Sequence, residues 1–455
     1  MATLMPKHSE QPAHRALVVG LGMTGLSCAR YLSAQGYTVT IADSRALPPM
    51  AAALHRTHPG LAVHSGGLPA TLVAGMQLIV VSPGVAAEEP LLCAARAAGV
   101  EIVGDVELFA RVARAPVIAI TGSNGKSTVT AMIGALINAA GRTARVSGNI
   151  GIPVLDLLAE AVPDVYVLEL SSFQLETTDS LQAAVAAVLN ISPDHMARYP
   201  DLDAYAAAKA RVLNGAATVI VNRDDPVVAG MQCTAGRCVS FGSDAPHDAG
   251  DYGLVRAAGE WLARGRTPLL RVAELPLLGT HNTLNVMAAL AAAEAFGVAP
   301  DDRVLDTVRN FQGLTHRTEL VDEWDGIRWI NDSKGTNVGA TRAAIAGFAN
   351  FLILIAGGRG KGADFAPLRE ALRGHGRAAI LFGEDAELID AALTGTVATH
   401  RAADLHDAVA QAARLARPGD VVLFSPACAS FDMFDNFEQR GRAFCDAVHA
   451  HRHPR

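Results

Sequence analysis

PVIAITGSNGKSTVTAMIGALINAAG, residues 116–141, decides the fold. An apolar run of strand length (116–122) leads directly into a turn rich in glycine and hydroxyl side chains, and a helical pattern follows over 126–140. Glycine at 122 and 125 permits backbone angles that let N–H groups point inward at an anion. The N-terminus of the following helix adds partial positive charge. Lys126 can reach the β- and γ-phosphates of a nucleotide, and the Ser127 hydroxyl can ligate Mg²⁺. Ile120 stands where the longer G-x-x-x-x-G-K pattern has its first glycine, so this is the shorter G-x-x-G-K-S form. A plain glycine turn with a surface lysine is the alternative. Strand, glycines, lysine, hydroxyl and helix in that order point instead to an ATP site.

The strand–helix alternation extends outward on both sides. ALVVG (16–20), YTVTIAD (37–43) and LIVVSPG (78–84) precede the loop, and VYVLELS (165–171), AAVLNIS (186–192) and ATVIVN (217–222) follow it. A third block carries FLILIAGG (351–358), AAILFG (378–383) and DVVLFSP (420–426). Continuous apolar strands interleaved with helices predict parallel sheets covered on both faces. The pattern breaks between 243 and 275 into LVRAAGE, WLARG and PLLRV, which reads as an antiparallel flap. At about 150 residues per domain, 455 residues allow three. GDVELFARVARAP (104–116) reads as a helical connector, and NFQGLTHRTE places the next boundary near Gly313. The expectation is an α/β chain of three domains: Rossmann-like over 1–110, a central P-loop ATPase-like parallel sheet over 111–312, and a second Rossmann-like α/β domain over 313–455.

Half the residues are hydrophobic, enough for several cores, and the net charge of −7 argues against a face for nucleic acid. The start, MATLMPKHSEQPAHRALVV, lacks the apolar core of a signal peptide. No apolar run approaches the roughly 18 residues of a membrane span. Six scattered cysteines (28, 93, 233, 238, 428, 445) make no zinc pattern and read as buried thiols in a reducing compartment. A cytoplasmic protein is expected.

A second glycine loop, VGLGMTG, has Gly20, Gly22 and Gly25 in G-x-G-x-x-G spacing, and Asp43, Ser44 and Arg45 close the next strand. Alone, this is a dinucleotide fingerprint, so an NAD- or FAD-dependent oxidoreductase competes with a UDP-linked substrate. The separate ATP loop favours the UDP-linked substrate. Glu169 in VLELSSFQLE sits where a strand delivers a carboxylate to a bound cation. His195 in SPDHMARY can hold a second cation or touch substrate. Lys209 in AYAAAKARV offers a cation, although a lone Lys or His is more often structural. HRTE (316–319), NDSKGTN (331–337), GGRGKGAD (357–364) and SPACASFDMFDNFEQRG (425–441) each adjoin a predicted strand, where ligands collect in open α/β sheets. Lys334 and Lys361 suit an acidic substrate, with Thr336 and Ser430 as donors.

In this order, GLGMTGLS, VSPGV, TGSNGKST, GNIG, LELSSFQLE, DHMARY, AAKARV, THNTLN, HRTE, NDSKGTN, GGRGKGADF, SPACASFD and NFEQRG run from Gly20 to Gly441, and the chain resembles the Mur ligase family, its D-glutamate-adding branch above all. The resemblance implies an ATP- and Mg²⁺-dependent ligase that activates a carboxylate as an acyl phosphate. Its implied substrates are UDP-N-acetylmuramoyl-L-alanine and D-glutamate. Leu21, Met23, Thr24, Asp43, Ser44 and Arg45 would hold the UDP end, and Asn149 of GNIG the sugar-linked acid. Gly122, Ser123, Asn124, Gly125, Lys126, Ser127 and Thr128 would hold ATP, with Asn282 and Asn285 near the adenine and Arg317 and Asp332 at the nucleotide. Two Mg²⁺ ions would lie among Ser127, Glu169, His195 and Lys209, the lysine carrying a carbamate. Lys334, Thr336, Lys361, Ser430 and Phe437 would receive D-glutamate. Lys126, Glu169, His195 and Lys209 are thus the expected catalytic set, in a monomer without membrane or nucleic-acid partner. Four positions depart from the branch's pattern: Gly335 for alanine, Arg359 for an acidic residue, Ala197 for aspartate and Thr283 for an aromatic. They touch details of nucleotide and amino-acid contacts. Another amino-acid-adding member, or a folylpolyglutamate synthetase-like ligase, is the alternative within the class.

Overall fold

A computed structural model describes residues 14–231, 236–277 and 279–453. The opening segment 1–13 and Cys233 lie outside the described residues. The first sheet contains β1 (Arg15–Val19), β2 (Thr38–Asp43), β3 (Ala62–Ser65), β4 (Leu78–Val81) and β5 (Glu101–Val103). Its order is β3-β2-β1-β4-β5 and all its pairs are parallel. A nine-stranded sheet follows, built from β6 (Val117–Thr121), β7 (Ala144–Gly148), β8 (Val165–Glu169), β9 (Val185–Val188), β10 (Thr218–Asn222), β11 (Arg237–Phe241), β12 (Tyr252–Arg256), β13 (Glu260–Arg264) and β14 (Thr267–Arg271). Its order is β14-β13-β12-β11-β10-β9-β6-β8-β7. The third sheet comprises β15 (Glu319–Trp324), β16 (Ile327–Asn331), β17 (Leu352–Gly357), β18 (Gly376–Phe382), β19 (Ala398–Arg401) and β20 (Val421–Phe424), in the order β15-β16-β20-β17-β18-β19. The chain is therefore a three-domain α/β protein with parallel-rich sheets.

Burial explains the pattern. In β17, Leu352, Leu354 and Ala356 enter one core cluster while Ile353 and Ile355 enter the cluster on the opposite face. Both faces are covered, so the strand reads as a continuous apolar run. The expected flap is present: β12, β13 and β14 pair antiparallel over Tyr252–Arg271, inside the 243–275 span. One strand pair departs from the parallel expectation, because β15 pairs antiparallel with β16. β15 lies at the sheet edge and is nowhere fully buried, so it lacks the apolar run that marks the interior strands.

Several strands end earlier than their apolar runs. β9 stops at Val188, leaving Leu189–Ser192 of AAVLNIS outside the sheet, and β8 stops at Glu169. Ser171 then caps a short helix with a reciprocal Ser171–Gln174 capping box. The connector helix is short, Asp105–Ala110. The thiols are not uniformly buried: Cys28 and Cys428 are, whereas Cys93 and Cys238 are exposed, because they sit on the outer surface of a helix and on the first residues of β11. Among the described residues, no helix is long and apolar enough to cross a membrane.

Packing divides the chain into two compact units: Met1–Ala119 with Thr143–Ala184 and Ala208–Ala217, and Ile120–Arg142 with Val185–Ala207 and Thr218–Arg455. The candidate site residues fall in both.

Candidate active site

In the larger unit, Gly122 (φ 147°) and Gly125 (φ 84°) both adopt conformations that glycine tolerates and other residues resist. A Cβ on Gly125 would lie 2.3 Å from Asn285 Oδ1. One on Gly122 would lie 3.0 Å from Leu189 Cβ and 3.3 Å from the Asn190 backbone nitrogen. The backbone angle disfavours other residues at both positions, and a side chain there would also displace Asn285 or crowd Leu189. The helix Lys126–Ala139 begins immediately after Gly125, and the N–H groups of a first helical turn have no partner within their own helix.

The chain that leaves β9 pins this loop. Ser123 N donates to Asn190 O (2.8 Å) and Asn124 N to Asn190 Oδ1 (2.8 Å), while Asn190 Nδ2 donates back to Asn124 O (3.0 Å). Ser123 Oγ donates to Ser192 O (3.0 Å) and accepts from Ser192 N (2.9 Å). Lys126 Nζ curls back over the loop and donates to Gly122 O and Ser123 O, both at 2.9 Å. An ammonium held over a glycine turn at a helix N-terminus is an arrangement suited to a phosphate chain. Ser127 and Thr128 are buried, and Ser127 Oγ accepts from Arg317 Nη2 at 2.9 Å. Asn282 and Asn285 lie buried on the helix Thr280–Ala295, with Asn285 Nδ2 donating to Asn282 Oδ1 (3.1 Å).

His195 has a left-handed backbone (φ 57°), its Nε2 lies 3.7 Å from Asp194 Oδ2, and its ring is partly exposed. Asn337 joins three segments. It caps the helix Val338–Ala346 by accepting from Ala340 N (2.8 Å), and it donates to Asp194 Oδ2 (3.1 Å) and Asn124 Oδ1 (3.3 Å).

The loops of the third sheet gather a second group. Lys334 Nζ stands 3.7 Å over the Phe437 ring, a cation–π contact. Asp332 is buried; its carboxylate accepts from Ser425 Oγ (2.7 Å) and Thr318 N (3.2 Å), and burial pushes its pKa up to about 6. Ser430 is buried and its carbonyl accepts from Met433 N and Phe434 N. Thr336 N donates to Lys334 O (2.8 Å). Lys361 is exposed on a left-handed turn (φ 54°). A Cβ on Gly335 would lie 2.6 Å from both Asp332 Oδ2 and Ser425 Oγ.

In the smaller unit, Asp43 at the end of β2 accepts from Leu21 N (2.7 Å), Arg45 N (2.8 Å), Arg45 Nε (2.8 Å) and Arg45 Nη2 (2.6 Å). The Arg45 guanidinium, followed by these backbone donors, holds the Asp43 pKa down at about 2 against the cost of burial. Met23 and Ser44 are exposed and Thr24 half-buried beside this loop. Glu169, buried at the end of β8, accepts from Asn149 Nδ2 (2.8 Å), and Asn149 N donates to Glu169 O (2.8 Å). Lys209 is buried, 1% exposed, on the helix Leu202–Ala210.

The structure therefore brings together Leu21, Asp43 and Arg45; Asn149 and Glu169; the glycine–lysine loop and Arg317; and Lys334 and Phe437. Among the described residues, Lys361 makes no hydrogen bond or ion pair with the other candidates. Sequence reasoning missed Asn190, Ser192, Asn337 and Arg440. The first two lay in a run read as strand, and polar residues after an apolar strand were the available signal. Among the described residues, His316, Glu319 and Cys445 have ligand atoms within 4.8 Å of one another. The Asn331 amide donates to His316 Nδ1 (2.8 Å) and to Cys445 Sγ (3.2 Å), so both of these atoms share one donor.

Comparison with known proteins covers most of the chain. Residues 14–104 match the model of the Mur ligase MurD-like N-terminal domain, 120–293 the Mur ligase middle domain, and 316–428 the Mur ligase glutamate ligase domain. The chain is 52% identical over 441 residues to the UDP-N-acetylmuramoylalanine--D-glutamate ligase of Nitrosococcus oceani, covering 96% of this chain and 97% of that protein. It is 50% identical over 457 residues to the protein of the same name from Thiobacillus denitrificans, covering 95% and 96%. Among solved structures it resembles the UDP-N-acetylmuramate-alanine ligase MurC of Thermotoga maritima, with a TM-score of 0.60 at 18% identity over 96% of this chain and 99% of that one. It also resembles the MurF ligase of Thermotoga maritima in complex with ADP, with a TM-score of 0.60 at 17% identity over 84% and 91%.

Proposed function

Since the chain belongs to the Mur ligase family, we propose that it joins D-glutamate to UDP-N-acetylmuramoyl-L-alanine at the expense of ATP. The observation that carries this reading is identity of about half, over nearly the full length of both chains, to proteins bearing the name of that reaction. The glycine–lysine loop before Lys126 is the local structure the reaction needs.

The substrate carboxylate attacks the γ-phosphate of ATP, forming an acyl phosphate and ADP. The amine of D-glutamate then attacks the acyl carbon, and phosphate leaves from the tetrahedral intermediate. The phosphate loop, residues 122–128, holds the triphosphate through its amides, and Lys126 supplies positive charge to the phosphoryl oxygens as it transfers. Arg317 and Asp332 serve the nucleotide side, and Asn282 and Asn285 shape the adenine end. Leu21, Met23, Thr24, Asp43, Ser44 and Arg45 hold the UDP moiety, and Asn149 orients the acid. Lys334, Thr336, Lys361, Ser430 and Phe437 receive D-glutamate.

Mg²⁺, two ions, supplies charge neutralisation at the phosphates when bound. Ser127, Glu169, His195 and a carbamate on Lys209 would hold it. The donor chemistry fits, because a hydroxyl and a buried carboxylate are hard oxygen ligands. An ammonium as buried as Lys209 is costly to keep charged, and carbamylation replaces it with an anionic ligand oxygen. We assign the UDP substrate to 1–110, ATP to 111–312 and the amino acid to 313–455, in a cytoplasmic monomer without nucleic-acid or membrane partner.

The test is phosphate release with UDP-N-acetylmuramoyl-L-alanine and ATP, comparing D-glutamate with L-glutamate. Release with the D-enantiomer is expected. Absence of release with D-glutamate overturns the reading.

A further inference from the structure

Resting on that reading, we propose that Arg440 is the positioning residue that holds the amino-acid loops in register for the incoming acidic amino acid. Arg440 is fully buried, 0% exposed, on the helix Phe437–Arg452. A buried cation ordinarily takes a carboxylate partner. Here, among the described residues, the guanidinium donates instead to the two loops: Nε to Ser333 Oγ (3.2 Å), Nη2 to Ser333 O (2.9 Å) and Nη1 to Cys428 O (3.0 Å).

These acceptors lie on the segments that carry the amino-acid candidates. Ser333 adjoins Lys334 and lies three residues before Thr336, while Cys428 is two before Ser430. Ser333 Oγ donates in turn to Phe437 O (2.8 Å), and the Phe437 ring carries the Lys334 ammonium at 3.7 Å. One planar guanidinium therefore ties NDSKGTN, SPACAS and the start of the NFEQRG helix together. The fork geometry matters, because lysine offers no planar pair of donors for two loops at once. Gly358 supports the same packing: a Cβ there would lie 3.2 Å from Arg440 Nη1 and 2.3 Å from Ala429 O.

The test is steady-state kinetics of Arg440→Ala and Arg440→Lys with D-glutamate and ATP varied separately, with and without low millimolar guanidinium chloride. The expected result is a rise of about tenfold or more in KM for D-glutamate, the size of a lost charged hydrogen bond. KM for ATP stays within about twofold, a selectivity that general loss of folding does not produce. Guanidinium refills the cavity and lowers KM for D-glutamate in the alanine variant, and lysine rescues only in part. An unchanged KM for D-glutamate, parallel rises for both substrates, or no guanidinium rescue in a folded alanine variant overturns the proposal. Should Arg440→Ala not fold, Ser333→Ala decides, since it removes only the hydroxyl between the guanidinium and Phe437: a raised KM for D-glutamate supports the assignment and an unchanged one overturns it. A wild-type protein that does not use D-glutamate overturns the ligase reading itself, which separates the two failures.

Discussion

Replacing Gly125 by alanine tests the phosphate loop without touching a charge. Gly125 has φ 84°, and a left-handed backbone costs a non-glycine residue about 1–2 kcal/mol. The new Cβ would meet Asn285 Oδ1 at 2.3 Å, so that buried side chain must move. Moving it breaks the 3.1 Å bond from Asn285 to Asn282, about 1 kcal/mol more. The sum, about 2–3 kcal/mol, falls on the loop conformation proposed to hold the triphosphate, and it corresponds to roughly 30- to 150-fold in affinity. Titration calorimetry with a non-hydrolysable ATP analogue measures it, alongside a thermal melt. Gly141→Ala is the control, because Gly141 has φ 78° but no atom within 4 Å of its Cβ position. It should cost stability by the backbone cost alone, about 1–2 kcal/mol, and leave nucleotide affinity unchanged. If Gly125→Ala binds the analogue as the wild type does, or the two variants lose affinity alike, the loop is not the nucleotide cradle.

Lys126→Ala should lose about 3 kcal/mol or more of transition-state stabilisation, seen as a fall of at least roughly 100-fold in kcat at saturating ATP; near-normal turnover contradicts the role given to this lysine. Lys209→Ala should lose most activity and regain part of it with added short carboxylic acids, which would replace the oxygens of the proposed carbamate; full activity without them removes Lys209 from the site. The Asp43 carboxyl, held at about 2 in the folded chain against an ordinary 3.8, contributes stability that is present above pH 3.8 and lost as the pH falls through about 2. Asp43→Asn should therefore flatten the urea-unfolding midpoint across that window, and an unchanged acid limb counts against the Arg45 pairing.

What the chain's residues settled alone was the class and the place of the glycine–lysine turn between a strand and a helix. The strand runs at 117–121, 352–357 and 421–424 are buried on both faces, and that makes them continuous, so composition and periodicity expose them. The glycine–lysine turn is contiguous, its own residues lying within seven positions. Edge strands escaped notice: β15 and β19 contain no fully buried residue and so lack the apolar run. Tertiary structure decided what lies far apart along the chain but close in space. Asn190 and Asn124, 66 residues apart, exchange two hydrogen bonds that shape the loop, and Arg317 reaches Ser127 across 190 residues. Arg440 serves Ser333 from 107 residues away. Local pattern records what each residue prefers for its own backbone and burial. Which distant carbonyl a buried guanidinium will face is fixed only when the strands between them have packed.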